Sequence, residues 1–204
     1  MIKKDTLVAY TKGEIQPTDI AHRQEKLLGS NCRAVVLMNF IEDGRAIRVL
    51  VKKSRLGSEK LEEVREEYRK LRHYLGDIVP MQAFVSEKPG EIEGTHELIT
   101  AFCSPVTIAY DVFGSEQNFE FLVRELEYNH DLQNDIDLFI CGYRSLKKEG
   151  FTIDLYGDEN LIVTRDGRLK YIDSFDINMT GRKAFQGNSE SRFQKLKTLG
   201  TLNK

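Results

Sequence analysis

The chain has 204 residues, 40% hydrophobic and 30% charged, with a formal net charge of -2, a composition that suits one ordinary domain or two small lobes of a soluble globular protein. A balance so near neutral gives no chain-wide attraction to nucleic acid or to an anionic membrane surface. There is no run of about eighteen apolar residues and no apolar core of a secretion signal, so a cytoplasmic location without membrane contact is expected.

The first 26 residues are polar and irregular, with one short strand expected at residues 7–10. From residue 28 the runs LGSNCRAVVLMNF and RAIRVLVKK flank Glu42-Asp43-Gly44 and predict a β-hairpin. Its opening carries Gly29 and Asn31, both of which tolerate positive φ. Its second strand ends at Lys52, which either points inward from the apolar run or snorkels at the strand end. Residues 58–76 predict a helix, with Leu61, Val64, Tyr68, Leu71 and Leu75 on one stripe and Gly76 as its stop. Glu67 borders that stripe and either meets a partner or keeps its head in water. Residues 78–85 and 97–102 predict two more strands, which complete a five-stranded antiparallel sheet on one helix. After Ser104-Pro105 the chain turns helical, with Phe119, Leu122, Val123 and Leu126 on one stripe. Ile136, Phe139, Ile140, Tyr143 and Leu146 form a longer stripe ending at Gly150. The cysteines, Cys32, Cys103 and Cys141, stand at unrelated spacings that fit reduced thiols better than a disulfide framework or a zinc site.

The richest stretch is residues 151–175, FTIDLYGDENLIVTRDGRLKYIDSF. Residues 161–163 and 169–172 read as strands around Asp166-Gly167, a dipeptide suited to a tight hairpin with positive φ. Asp154, Asn160 and Asp173 then fall at strand ends, where Asn160 and Asp173 share one end of the ribbon and offer hard oxygens to a cation such as Mg²⁺. The remaining tail predicts a short amphipathic helix with Phe193, Leu196 and Leu199 on one side and Gly200 closing it. Its cations Arg182, Lys183, Arg192, Lys195 and Lys197 form either a phosphate- or substrate-facing patch or a solvated face.

Residues 151–175 resemble the catalytic and magnesium loops of the protein kinase-like superfamily, which includes the aminoglycoside and other small-molecule phosphotransferases. Asn160 and Asp173 stand thirteen apart, as in that pattern, whereas Asp154 and Asn160 enclose five residues where the family usually has four. The resemblance extends over residues 27–176. Gly29-Ser30-Asn31-Cys32-Arg33-Ala34-Val35-Val36 is similar to the family's phosphate-covering loop with one glycine of three kept. The strand Val49-Leu50-Val51-Lys52 is similar to its Val-Ala-Ile-Lys strand. Thr152 replaces the usual histidine two before the aspartate, and Asp173-Ser174-Phe175 stands where Asp-Phe-Gly is common.

The resemblance implies an α+β, two-lobed kinase-like fold. The nucleotide-binding lobe would span residues 1–102, a five-stranded antiparallel sheet plus one helix. A reduced, mostly helical catalytic lobe with the hairpin would span residues 103–204. It implies ATP and Mg²⁺ as cofactors. Lys52 would sit on the α- and β-phosphates, Glu67 would hold Lys52, and Asp154 would orient the accepting hydroxyl. Asn160 and Asp173 would bind the metal, Gly29 and Asn31 would cover the phosphates, and Thr100 with the backbone of Ala101 to Cys103 would contact adenine. Two functions follow: a phosphotransferase acting on a small-molecule or protein hydroxyl, or a pseudokinase acting as a nucleotide-binding or scaffolding regulator without turnover, either of them with a possible protein partner. The blander alternative is an unrelated α+β binding domain.

Overall fold

A computed structural model describes residues 3, 6, 9–10, 14–25, 32–87, 97–156, 159–172 and 183–200. The fold is α+β and divides into two compact units, the first drawn from Met1–Glu66 with Met81–Pro105 and the second from Glu67–Pro80 with Val106–Lys204.

The first unit holds a five-stranded antiparallel sheet of β1 (Asp19–Glu25), β2 (Cys32–Glu42), β3 (Arg45–Gly57), β4 (Gln82–Glu87) and β5 (Leu98–Cys103), in the order β1-β2-β3-β5-β4. Asp43 and Gly44 take φ of 50° and 73°, so Glu42 pairs directly with Arg45 across a two-residue turn whose twist matches that of the strands. Apolar residues alternate along β2 and β3, and Val36, Met38, Phe40, Val49, Val51 and Phe102 bury one face. Tyr10 packs edge-on against Phe40 and Phe102 on that face.

Two expectations for this unit are corrected. Ala9 and Tyr10 are helical where a strand was expected, and the fifth strand is β1, which pairs with β2. β1 is an edge strand that opens with Asp19, Ile20 and Ala21 all exposed, Ile20 at 55%, and its sequence DIAHRQE lacks the apolar alternation that marks a strand. The strand expected from residue 78 begins at Gln82, because residues 76–78 form a 3₁₀ turn.

Helix α1 (Leu61–Leu75) follows a 3₁₀ turn at Ser58–Lys60 and stops at Gly76, φ 54°. Arg65 Nη2 donates to the Phe84 carbonyl at 2.8 Å, fixing the first half of the helix to β4. Glu67 lies inside the stripe rather than at its border, only 7% exposed.

The second unit contains α2 (Glu116–Glu125), α3 (His130–Lys148), α4 (Lys183–Gly200) and a three-stranded sheet of β6 (Ile108–Asp111), β7 (Leu161–Thr164) and β8 (Leu169–Tyr171). Ser115 and Asn129 cap α2 and α3 by accepting from the backbone N–H groups of Asn118 and Leu132, satisfying donors that each helix start leaves open. Leu71, Leu75, Ile136, Phe139, Ile153, Leu161, Tyr171, Phe193 and Leu196 belong to one continuous core. The expected hairpin gains a third strand, β6, in a stretch expected to be helical. The tail helix is longer than expected, with Phe193 stacked on Tyr143 at a centroid distance of 3.9 Å. Among the described residues no helix is long and apolar enough to cross a membrane, and all three cysteines are reduced thiols.

Candidate active site

In the second unit Asp154 and Asn160 meet. Asp154 is 7% exposed, and Asn160 Nδ2 donates to its backbone carbonyl at 3.1 Å and to its Oδ2 at 3.3 Å. Both donations come from one amide group, so the amide is oriented and its oxygen is left as an acceptor with no hydrogen-bond partner among the described residues. The longer step between Asp154 and Asn160 therefore does not part them. The chain enters β7 through Glu159, a non-glycine residue at φ 59°, whose N–H donates to Asp111 Oδ2 at 2.9 Å. Such a conformation costs about 1–2 kcal/mol, and the Asp111 contact offsets part of it. Asp111 is itself held as the last residue of β6, its Oδ1 accepting from Phe113 N–H at 3.0 Å.

Asp154 Oδ1 accepts from Tyr156 N–H at 2.7 Å and from the Ser189 hydroxyl at 3.4 Å. Ser189, 1% exposed on α4, also accepts from Leu155 N–H at 3.1 Å. One turn further along α4, Arg192 Nη1 donates to the carbonyls of Leu155 and Tyr156 at 2.5 and 2.8 Å. Helix α4 thus clasps the loop that carries Asp154. The sequence reading missed Ser189, although its spacing to Phe193 and Leu196 places a polar residue on the apolar stripe.

The hairpin is braced from below. Thr164 N–H donates to the Arg168 carbonyl and only Gly167 has positive φ, 72°, so the loop is wider than the two-residue turn expected of Asp166-Gly167. Asp135 of α3, 5% exposed, accepts from Arg168 Nε and Nη2 at 2.8 and 2.7 Å and from Leu169 N–H at 3.0 Å. This bidentate pairing drives the Arg168 guanidinium further above its ordinary value, that is, deeper into its charged form. Asp135 also went unread, yet it sits between Leu132 and Phe139 on the buried face, which is where an unexplained carboxylate signals a partner. At the far end of the ribbon Ile172 N–H donates to the Asn160 carbonyl at 2.9 Å. Asp173, the next residue in sequence, lies outside the described residues, as do Gly29 and Asn31.

The remaining candidates lie on the first unit's sheet, except Glu67, which belongs to the second unit. Lys52 pairs in register with Ala101, so the two side chains share one face, and Cys103 shares it by alternation. Thr100 falls on the opposite face, where its hydroxyl donates to Glu87 Oε2 at 2.7 Å and Glu87 Oε1 meets Lys53 Nζ at 3.2 Å. The sheet therefore gathers Lys52, Ala101 and Cys103 but turns Thr100 away from them.

Among the described residues no group of three or more His, Cys, Asp or Glu side chains is placed to hold a metal. The described donor that fits Mg²⁺ is the Asn160 amide oxygen, a hard neutral ligand of the type that completes a carboxylate-poor site. A cleft of about 470 Å³ also opens in the second unit, lined by residues that include Phe113, Phe119, Tyr156, Arg192 and Lys195. Neither the protein-family models nor the curated protein sequences contain a match to this chain.

Proposed function

We propose that this chain is a small two-lobed, kinase-like phosphotransferase that moves the γ-phosphoryl group of ATP to a hydroxyl acceptor. The observation that carries this reading is the Asp154–Asn160 contact, in which one buried carboxylate orients an amide so that its oxygen is left for a cation. On this reading Asp154 faces the acceptor hydroxyl, and Asn160 with Asp173 holds the metal. Lys52, steadied by Glu67, takes the α- and β-phosphates, while Gly29, Asn31 and the backbone of residues 101–103 are assigned to the nucleotide. Mg²⁺ supplies neutralisation of phosphate charge when bound. The acceptor oxygen bonds to the γ-phosphorus as the bond to the β–γ bridging oxygen breaks. ADP leaves with that electron pair, and the hydroxyl proton passes to Asp154 Oδ2, the less engaged of its two oxygens. Such a transfer rests on positioning and charge compensation and needs no covalent intermediate.

A specific observation favours the pseudokinase as the second reading: Asp154 is buried and both of its oxygens already accept hydrogen bonds. The test is a melting curve with and without ATP and Mg²⁺, together with ATP consumption. The phosphotransferase predicts a metal-dependent rise in melting temperature that Asp173→Ala abolishes, and an ATP turnover that Asp154→Ala abolishes while the rise persists. A rise without turnover in the wild-type chain supports a nucleotide-binding pseudokinase, and no rise at all refutes both the phosphotransferase and that nucleotide-binding reading.

A further inference from the structure

The cleft in the second unit has a composition that the roles above do not use. Its aromatic walls are Phe113, Phe119 and Tyr156, with Phe113 and Phe119 stacked at 6.2 Å and 18°. Two cations stand over those rings: the Arg192 guanidinium lies 5.1 Å from Phe113 and 5.4 Å from Tyr156, and Lys195 Nζ lies 5.4 Å from Phe119. Among the described residues that line the cleft Glu116 is the only carboxylate, and it pairs with Lys195 at 2.7 Å. Among these residues one positive charge is left uncompensated. Arg192 spends Nη1 on the Leu155 and Tyr156 carbonyls, whereas Nε and Nη2 have no hydrogen-bond partner among the described residues. That edge is the planar fork which matches a carboxylate or phosphate bidentately, and a guanidinium anchored by its other nitrogen loses little freedom on binding.

We propose that this cleft binds a small ring compound carrying an acidic group, with the ring among the three aromatic faces and the acid on Arg192 and Lys195. Its volume suits a small molecule rather than a folded partner. The deeper claim, that this compound is the phosphoryl acceptor, rests on the phosphotransferase reading. Tyr156, which lines the cleft, donates its N–H to Asp154. Arg192 follows Ser189, the residue bonded to Asp154, by three positions on α4, about 4.5 Å of helical rise. An acid on the guanidinium and a hydroxyl at Asp154 can therefore belong to one small molecule.

The experiment uses the full chain and three probes of one shape: 4-(hydroxymethyl)benzoate, its neutral analogue 1,4-benzenedimethanol, and the cation 4-(aminomethyl)benzyl alcohol. Binding is followed by calorimetry or ligand-observed NMR without nucleotide. The benzoate is expected to bind at least about tenfold more tightly than the neutral probe, and the cation least. Lys195→Gln should weaken the benzoate several-fold. Glu116→Gln, at an exposed helix position, should tighten it several-fold, a gain that a folding defect does not produce. Equal affinities for the three probes, or a benzoate affinity unmoved by both variants, would overturn the site. Adding ATP and Mg²⁺ then separates the two claims: a phosphorylated benzoate supports both, whereas saturable binding without phosphorylation keeps the acidic-ring site and overturns its role as acceptor site.

Discussion

At Asp43-Gly44 both residues take positive φ and ten residue pairs run on from the turn along β2 and β3, while at Asp166-Gly167 only the glycine does and three pairs join β7 to β8. The first hairpin is held by its own ladder, and its turn glycine has open space around it, with nothing within 4 Å of an added Cβ. The second is too short for that. Asn129 Nδ2 donates to the Gly167 carbonyl at 2.9 Å and Asp135 takes Arg168 and Leu169, so helix α3 supplies what the ladder lacks. The short, borrowed hairpin is also the one that presents Asn160 to Asp154. Precision at this candidate site is thus drawn from a helix that contributes no residue to it.

That contrast can be broken most severely at Asp135. Asp135→Ala leaves Arg168 and the Leu169 N–H without their acceptor and should cost about 3 kcal/mol in urea unfolding. Arg45→Ala, beside the exposed turn of the other hairpin, should stay within about 0.5 kcal/mol. Equal losses would show that the two hairpins are held alike.

The turn glycines sharpen the comparison at a smaller scale. Gly44→Ala meets only the strain of positive φ, about 1 kcal/mol. Gly167→Ala meets the same strain and places its Cβ 2.5 Å from Asn129 Nδ2, disturbing a residue that also caps α3, so about 2 kcal/mol is expected. The difference is read from paired thermal unfolding curves.

The smallest effect is confined to alkaline solution. Burial pushes the Tyr143 hydroxyl of α3 up to about 12. A group that holds its proton more tightly folded than unfolded contributes stability in full below about pH 10, the unfolded value, and loses it as pH rises toward 12. Tyr143→Phe should therefore flatten the decline of melting temperature between pH 10 and 12 and leave its value at pH 7 nearly unchanged. Tyr10, raised to about 12 by burial in the first unit, offers the matching variant there.

Much of this was legible in the residues, for physical reasons that also explain the gaps. The long hairpin of β2 and β3, helix α1 with its stop at Gly76, and helices α2 and α3 announce themselves through periodic burial, which a single sequence records directly. Strands β1 and β6 do not: the residues of β6 are all at least partly exposed, and both strands are defined by their partners. Asp154 and Asn160 were readable as polar residues flanking an apolar strand. Ser189, Asp111 and Asp135 were not, because their meaning is a contact 34 to 48 residues away in the chain. Asp135 and Ser189 still left one trace, a polar side chain on an otherwise apolar helical stripe, the same sign that drew attention to Glu67.

The account turns on whether the amide oxygen of Asn160 is a metal ligand. Mn²⁺, which reports by electron paramagnetic resonance where Mg²⁺ is silent, can be titrated into the chain with a non-hydrolysable ATP analogue, for the wild type and for Asn160→Ala. A nucleotide-dependent Mn²⁺ signal that weakens at least about tenfold in the variant is the predicted result. An identical Mn²⁺ affinity in the two proteins would contradict it.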